Sequence, residues 1–386
     1  GNKVDENRTV NVIIDTWDKT FGGTAMDKCT SVISTNDGGS LMLGFTRSGA
    51  NGDKSEGSKG NTDFWAVKID ATGNKVWDKT FGSGNHEYAR SAISTADGGY
   101  LLVGHSDSGV GGDKTQSSRG RTDFWAIKID SDGNKLWDQR YGAPFYDDAQ
   151  TVIESSDGNY IILGHTDSPA GGDKSLSSRG RWDFWAVKID TNGNKLWEKG
   201  YGGNFHDNAY SALLTSDGGY LFFGNSESPA SGDKSQGNQG IDYWVVKVDA
   251  NGNKIWDKTF GGSGDEYGKT LLPTNDSGYL LIGHSNSGIS GNKTQASKGG
   301  YDFWVVKIDA NGTKVWDKPY GGTGNEYAGS AMSMNDGSYL LAGYSSSGAS
   351  GDKTQGSLGS NDYWVIKIDA NGNKLWDRAY GGSASD

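Results

Sequence analysis

Between Asp123 and Asp130 the chain reads DFWAIKID, and alternate positions sort into Phe124, Ala126 and Lys128 on one side and Trp125, Ile127 and Ile129 on the other. Both sides are largely apolar. A sheet wetted on one face would alternate apolar with polar, so this strand predicts a sheet covered on both faces. Upstream, residues 91–95 form a short run of small residues, the turn Asp97-Gly98-Gly99 follows, and residues 100–104 are apolar without helical spacing. These two segments predict a hairpin. A Gly- and Ser-rich loop of seventeen residues, SDSGVGGDKTQSSRGRT, leads into the strand at 123–130, and the turn SDGN returns the chain into a fourth strand at 135–141. In other copies this turn reads ANGN, with Asn-Gly suited to positive φ.

The four-stranded unit recurs along the whole chain. Its first Trp falls at Trp65, Trp125, Trp185, Trp244, Trp304 and Trp364, and its second at Trp77, Trp137, Trp197, Trp256, Trp316 and Trp376, a spacing of sixty residues with a single fifty-nine. The periods run over 17–76, 77–136, 137–196, 197–255, 256–315 and 316–375, and they predict a single repeat domain over 1–386. Sheets covered on both faces, with small residues in the first strand where converging units leave little room, predict an all-β fold, a β-propeller of six four-stranded blades. The ends bear on closure. TWDKTFGG around Trp17 supplies a seventh copy of the fourth strand, over 9–21. The expectation is terminal-strand closure, with this segment adding to or replacing the outer strand of the last blade; seven blades is the alternative if a partner or further sequence supplies the rest. The chain opens in mid-repeat and ends at GGSASD, which suggests a processed or excised part of a longer multidomain protein, or else a monomer.

Composition narrows the partners. The net charge of −11 argues against a nucleic-acid ligand, which calls for clustered Lys and Arg. The 62 Gly beside 5 Pro mark turns rather than a disordered linker, and the single Cys29 forms no internal disulfide. No apolar run approaches the roughly twenty residues of a membrane-spanning helix, so no membrane insertion is expected.

YARSAISTADGGYLLVGH followed by DFWAIKIDSDGNKLWD resembles a kelch-type blade, inner strand first and a Trp in the outer strand, although Gly104-His105 stands where kelch has a Gly pair. It is more similar to the sixty-residue repeats of secreted bacterial proteins, the delta-60-like group and the Asp-Phe/Tyr-Trp arrays of Bacteroidetes-type surface proteins. The resemblance implies a propeller and an extracellular or cell-surface location. It implies no shared catalytic activity.

Thirteen of the fourteen Trp belong to the repeat and read as packing residues. Trp182 does not: the other copies place Thr62, Thr122, Ile241, Tyr301 and Asn361 there, so it is either a ligand platform or a local packing plug. The end of the second strand also differs between copies, as Phe45, His105, His165, Asn225, His284 and Tyr344, a candidate ligand-binding ring or a polar channel wall. Two acidic series run in phase on the face that carries the long loops. Asp27, Glu87, Asp147, Asp207, Glu266 and Glu326 open the first strands; Asp53, Asp113, Asp173, Asp233 and Asp352, with Asn292, lie in the long loops, each followed by Lys. Oxygen-rich loops suit calcium. The competing expectation is that each carboxylate caps backbone amides of its own loop or pairs with the adjacent Lys.

GVGGDKT lacks the Gly before Lys of a phosphate-binding loop, DSDGN lacks the twelfth-position Glu of a calcium-binding EF-hand, and SDGNKLW is one residue longer than a sialidase Asp-box. The expected function is a non-catalytic binding module for a glycan or a cell-surface protein through the long-loop face. A scaffold without ligand is the alternative, and a sialidase-like glycoside hydrolase, which needs paired carboxylates in one cleft, a minor one.

Overall fold

In the computed structural model, which describes residues 19–384, the chain forms six four-stranded antiparallel sheets arranged in a ring, an all-β six-bladed propeller. The blades cover 27–81, 87–141, 147–201, 207–260, 266–320 and 326–380. Within each sheet the strands pair in chain order, so the first strand is innermost and the fourth outermost. Blade 2 is representative, with strands Glu87–Ser94, Tyr100–Ser106, Asp123–Ile129 and Lys135–Tyr141. Among the described residues no helix is long and apolar enough to cross a membrane.

The first strand is longer than its small-residue run predicts. It starts at Glu87 because Glu87, Tyr88 and Ala89 pair with Ser106, His105 and Gly104 before a bulge skips Arg90. The bulge explains a glycine in the middle of every second strand: a Cβ on Gly104 would lie 2.0 Å from the Tyr88 carbonyl oxygen. In the turn between first and second strands, Gly98 has φ of 83°, a left-handed conformation that favours glycine.

The third strand is buried along its whole length, as its two apolar faces require. Phe124 on one face packs on Trp185 of the next blade at 4.7 Å between ring centres, and Phe64 meets Trp125 at 5.0 Å, both tilted. The same contact recurs as Phe184 with Trp244, Tyr243 with Trp304 and Phe303 with Trp364. Each buried indole N–H donates to a carboxylate of its own fourth strand, Trp125 to Asp138 at 3.1 Å and Trp185 to Glu198 at 2.8 Å. The second Trp is a bracket between blades, Trp77 donating to the Ser131 carbonyl at 3.1 Å.

The junction of blade 6 with blade 1 differs. Tyr363 and Tyr380, at positions buried in the other blades, are 59% and 55% exposed, and a cleft of about 440 Å³ lies between Tyr363 and the blade 1 residues Cys29, Met42, Trp65 and Val67. Most of the amino-terminal segment expected to close the ring lies outside the described residues. Its visible end sits against blade 1: Phe21 packs on Trp65, Val67 and Ile69, and Lys19 donates to Asn74 at 2.7 Å, as Lys318 of blade 5 donates to Asn373 of blade 6 at 2.9 Å. Blade 6 has its own outer strand, Lys374–Tyr380.

Candidate functional site

The acidic residues that open the first strands are internal caps. Glu87, Asp147, Asp207, Glu266 and Glu326 are fully buried. Glu87 accepts from the Ser83 amide at 2.9 Å and the Ser106 hydroxyl at 2.8 Å; Glu266 accepts from the Gly262 amide at 2.7 Å and the Ser285 hydroxyl at 2.6 Å. Asp147, Asp207, Glu326 and the half-buried Asp27 take the equivalent amides of Ala143, Gly203, Gly322 and Gly23.

The long-loop carboxylates reach backward to the preceding junction. Asp53, Asp113, Asp173, Asp233 and Asp352 accept from the amides of Gly22, Gly82, Gly142, Gly202 and Gly321. Pairing with the adjacent Lys does not occur, because those lysines turn into the blade: Lys114, Lys234, Lys293 and Lys353 are each 2% exposed. The ion pairs cross between blades instead, Lys59 with Asp113 at 2.5 Å, Arg119 with Asp173 at 2.8 Å, Arg179 with Asp233 and Lys298 with Asp352. Among the described residues no group of three or more His, Cys, Asp or Glu is placed to hold a metal ion.

A third acidic series escaped the sequence reading. The Asp that opens each third strand, as in Asp63, Asp242 and Asp302, is buried beside the junction acid of the next blade. Burial, with the charge of that neighbour adding to it, pushes Asp63 and Asp302 up to about 6 and Asp242 up to about 7. A polar residue opening an otherwise apolar strand was the available signal.

The divergent ring at the second-strand ends is mostly closed to solvent. Phe45, His105, His165, Asn225 and His284 are all at most 8% exposed, and only Tyr344, at 42%, is open. These side chains form the floor beneath an aromatic rim. Phe45 meets Tyr88 edge-on at 5.1 Å, His284 lies 5.0 Å from Tyr327, and Tyr344 stacks on Tyr327 at 5.0 Å. Burial pushes His105 down to about 4 and His284 down to about 3, so both are neutral near pH 7.

His165 is the ring member that meets Trp182, edge to face at 5.0 Å between centres. Here the six-fold regularity breaks. The end of each long loop pairs with the junction of the next blade, so that Thr122 bridges Tyr146 and Trp182 bridges His206 in parallel. Arg121 and Arg181 donate their backbone amides to the carbonyls of Phe145 and Phe205, at 2.9 and 3.2 Å. The result is a cleft of about 520 Å³ lined by Arg121, Phe145, Tyr146, Asp167, Arg181 and Trp182, with Gly180 and His206 at its edges. The Tyr146 and Trp182 rings lie 5.9 Å apart, and the Arg121 guanidinium sits 5.1 Å from the centre of the Tyr146 ring while donating to its hydroxyl at 2.9 Å. Asp167, the one acid of the cleft, accepts from the Tyr146 amide at 2.8 Å, and burial raises its pKa.

Trp182 was visible in the sequence because it departs from the repeat. Phe145, Tyr146, Arg121 and Arg181 depart as well, since the junction reads NH at 85–86 but FY at 145–146, and the loop end reads GN at 60–61 but GR at 120–121 and 180–181. Their convergence requires the cross-blade pairing, which no single repeat displays.

No family model matches this sequence. The chain is similar to the regulatory protein FlaEY of Caulobacter vibrioides, 22% identical over 390 residues, which cover 91% of this chain and 40% of that protein. Among solved structures it is similar to hydrazine synthase of Kuenenia stuttgartiensis, with a TM-score of 0.54 and 11% identity over 96% of this chain and 92% of that one. A protein of unknown function from Bacteroides caccae aligns with a TM-score of 0.44 and 13% identity over 82% of this chain and 90% of its own. At such identities the likeness concerns fold alone.

Proposed function

We propose that this propeller is a non-catalytic binding module whose long-loop face takes a carbohydrate, with Trp182 as the platform for a sugar ring. The observation that carries the reading is the asymmetry of that face. Elsewhere on that face the long-loop carboxylates are engaged by amides and cations of the chain itself, yet between blades 2 and 4 the loops open into one aromatic cleft with cationic edges. A glycoside hydrolase would place two carboxylates in one cleft, about 5 to 9.5 Å apart, whereas this cleft is lined by Asp167 alone. The secreted-repeat resemblance and the expected cell-surface location belong to the same proposal. The regular, internally bonded loops elsewhere favour the scaffold as the second reading.

The test is binding of the chain to a glycan and polysaccharide panel, in calcium and after chelation, beside Trp182→Ala. Saturable binding that falls at least about tenfold in Trp182→Ala, with an unchanged melting temperature, supports the module. Binding to nothing in either condition leaves the scaffold. Because the acidic series are engaged by amides and cations of the chain itself, chelation is expected to leave both binding and melting unchanged; a loss on chelation would reinstate calcium.

A further inference from the structure

The loops before the third strands of blades 2 and 3 both carry Arg-Gly-Arg, at 119–121 and 179–181. The two arginines of each motif have different fates. The first is neutralised: Arg119 pairs with Asp173 at 2.8 Å and Arg179 with Asp233. The nearby Arg140 shares Asp173 at 3.1 Å. The second is not. Arg121 donates to the hydroxyl of Tyr146, and neither Arg121 nor Arg181 forms a salt bridge among the described residues. Both are exposed, and both line the cleft that holds Trp182. In a chain with a net charge of −11, acids to pair with are abundant. Two guanidinium groups without a salt bridge therefore line one cleft, where Asp167 is the nearest acid to Arg121.

Resting on the carbohydrate-binding reading, we infer that the ligand of this cleft is an acidic polysaccharide, one whose sugars carry carboxylate or sulfate groups. The planar guanidinium offers paired N–H donors that match either group in a bidentate fashion, a geometry that a Lys would not supply. Trp182 and Phe145, the latter 49% exposed, give apolar surface to the ring faces of the sugars. Asp167, held by the Tyr146 amide, is the acid of the cleft and is available to sugar hydroxyls. Arg121 and Arg181 come from successive blades and line one cleft, so together they offer two sites for acidic groups of one chain. A polymer with an acidic group on every sugar satisfies both at once, and avidity follows from the repeat of the ligand.

The experiment measures affinity for polygalacturonate, for dextran sulfate and for neutral dextran at about 0.15 M salt, where surface charge acts over roughly 8 Å. Four proteins are compared: wild type, Trp182→Ala, the double variant Arg121→Gln with Arg181→Gln, and the double variant to Lys. The expected result is at least tenfold tighter binding of an acidic polymer than of dextran, and loss of that preference in the Gln variant. The Lys variant should keep the salt dependence of binding but regain only part of the affinity. Binding of polygalacturonate without dextran sulfate assigns carboxylate, and binding of both assigns the shared anionic chemistry. Equal affinity for neutral and acidic polymers overturns the inference while the carbohydrate-binding module stands. Acidic binding that survives in the Gln variant overturns it too, because the anion then binds elsewhere. Failure of the wild type to bind either acidic polymer overturns the inference, and the broader glycan panel then decides the module. Arg181→Gln alone, which removes no side-chain partner, serves as the variant that must fold.

Discussion

The boundary between blades 5 and 6 and the boundary between blades 6 and 1 bring the same repeat positions face to face, with opposite results. At the first, Phe303 is fully buried against Trp364 at 5.1 Å and Tyr320 is 3% exposed, its hydroxyl donating to the Gly372 carbonyl at 2.5 Å. At the second, the equivalent Tyr363 and Tyr380 are more than half exposed, and Trp65 is covered by Phe21 and Met42 rather than by a complete neighbouring sheet. Each blade has the same internal hydrogen bonding and the same fourfold strand order. What differs is the neighbour. A blade here owes its core to the sheet beside it, which is the nearest-neighbour energetics of repeat proteins bent into a ring.

The largest expected effect is therefore a difference between two substitutions at one repeat position. Phe303→Ala removes a buried ring at a sealed boundary and should cost about 3–5 kcal/mol. Tyr363→Ala removes a ring that is largely in water, and its cost should stay below about 1 kcal/mol. Chemical denaturation of both variants checks this. Equal costs would mean that the face of blade 6 is covered in solution, and the contrast drawn from the two boundaries would fall.

A difference of roughly a hundredfold in reactivity is expected at another repeat position. Cys29 is exposed in the cleft at the seam, whereas Ala149 and Ala209 stand at its equivalent and are fully buried. A thiol reagent should label Cys29 in the native protein. In a Cys29→Ala background, Ala149→Cys should be labelled only through local opening, which protects buried sites strongly. Comparable labelling rates would show the interior boundaries to be as open as the seam.

The same contrast explains how far the sequence could be read. The two apolar faces of DFWAIKID led directly to stacked blades, since double-sided burial leaves a mark on every residue of the strand. Phe303 and Tyr363 leave almost the same mark, so nothing local tells a sealed boundary from an open one. The site divides in the same manner. Trp182 stood out as a single departure, while the acids of both in-phase series read as amide caps or as calcium ligands alike, because their amide partners carry no sequence signature. Arg121 and Arg181 were hidden among the arginines of the same loops, and only the ion pairs of Arg119 and Arg179 separate the two kinds.

The last effect expected is electrostatic, and it belongs to an interior boundary. Asp242 lies against Glu266 of the next blade: a Cβ on Gly261 would stand 2.2 Å from one carboxylate and 2.6 Å from the other. Burial, reinforced by Glu266, pushes Asp242 from the ordinary 3.8 up to about 7. A raised carboxyl pKa means that the folded state binds the proton more tightly than the unfolded chain. Its stabilising contribution is full below about 4 and is lost as pH rises through about 7, with a slope of up to roughly 1.4 kcal/mol per pH unit. His105 and His284, depressed to about 4 and 3, act in the opposite sense as pH falls below the ordinary 6.5, so the wild-type profile alone mixes both. The difference between wild type and Asp242→Asn isolates the carboxyl, because the amide imitates its protonated form at every pH. That difference should grow from pH 4 to pH 7 in favour of the variant. A profile for Asp242→Asn parallel to that of the wild type would show that the blade 4 and blade 5 acids share no proton.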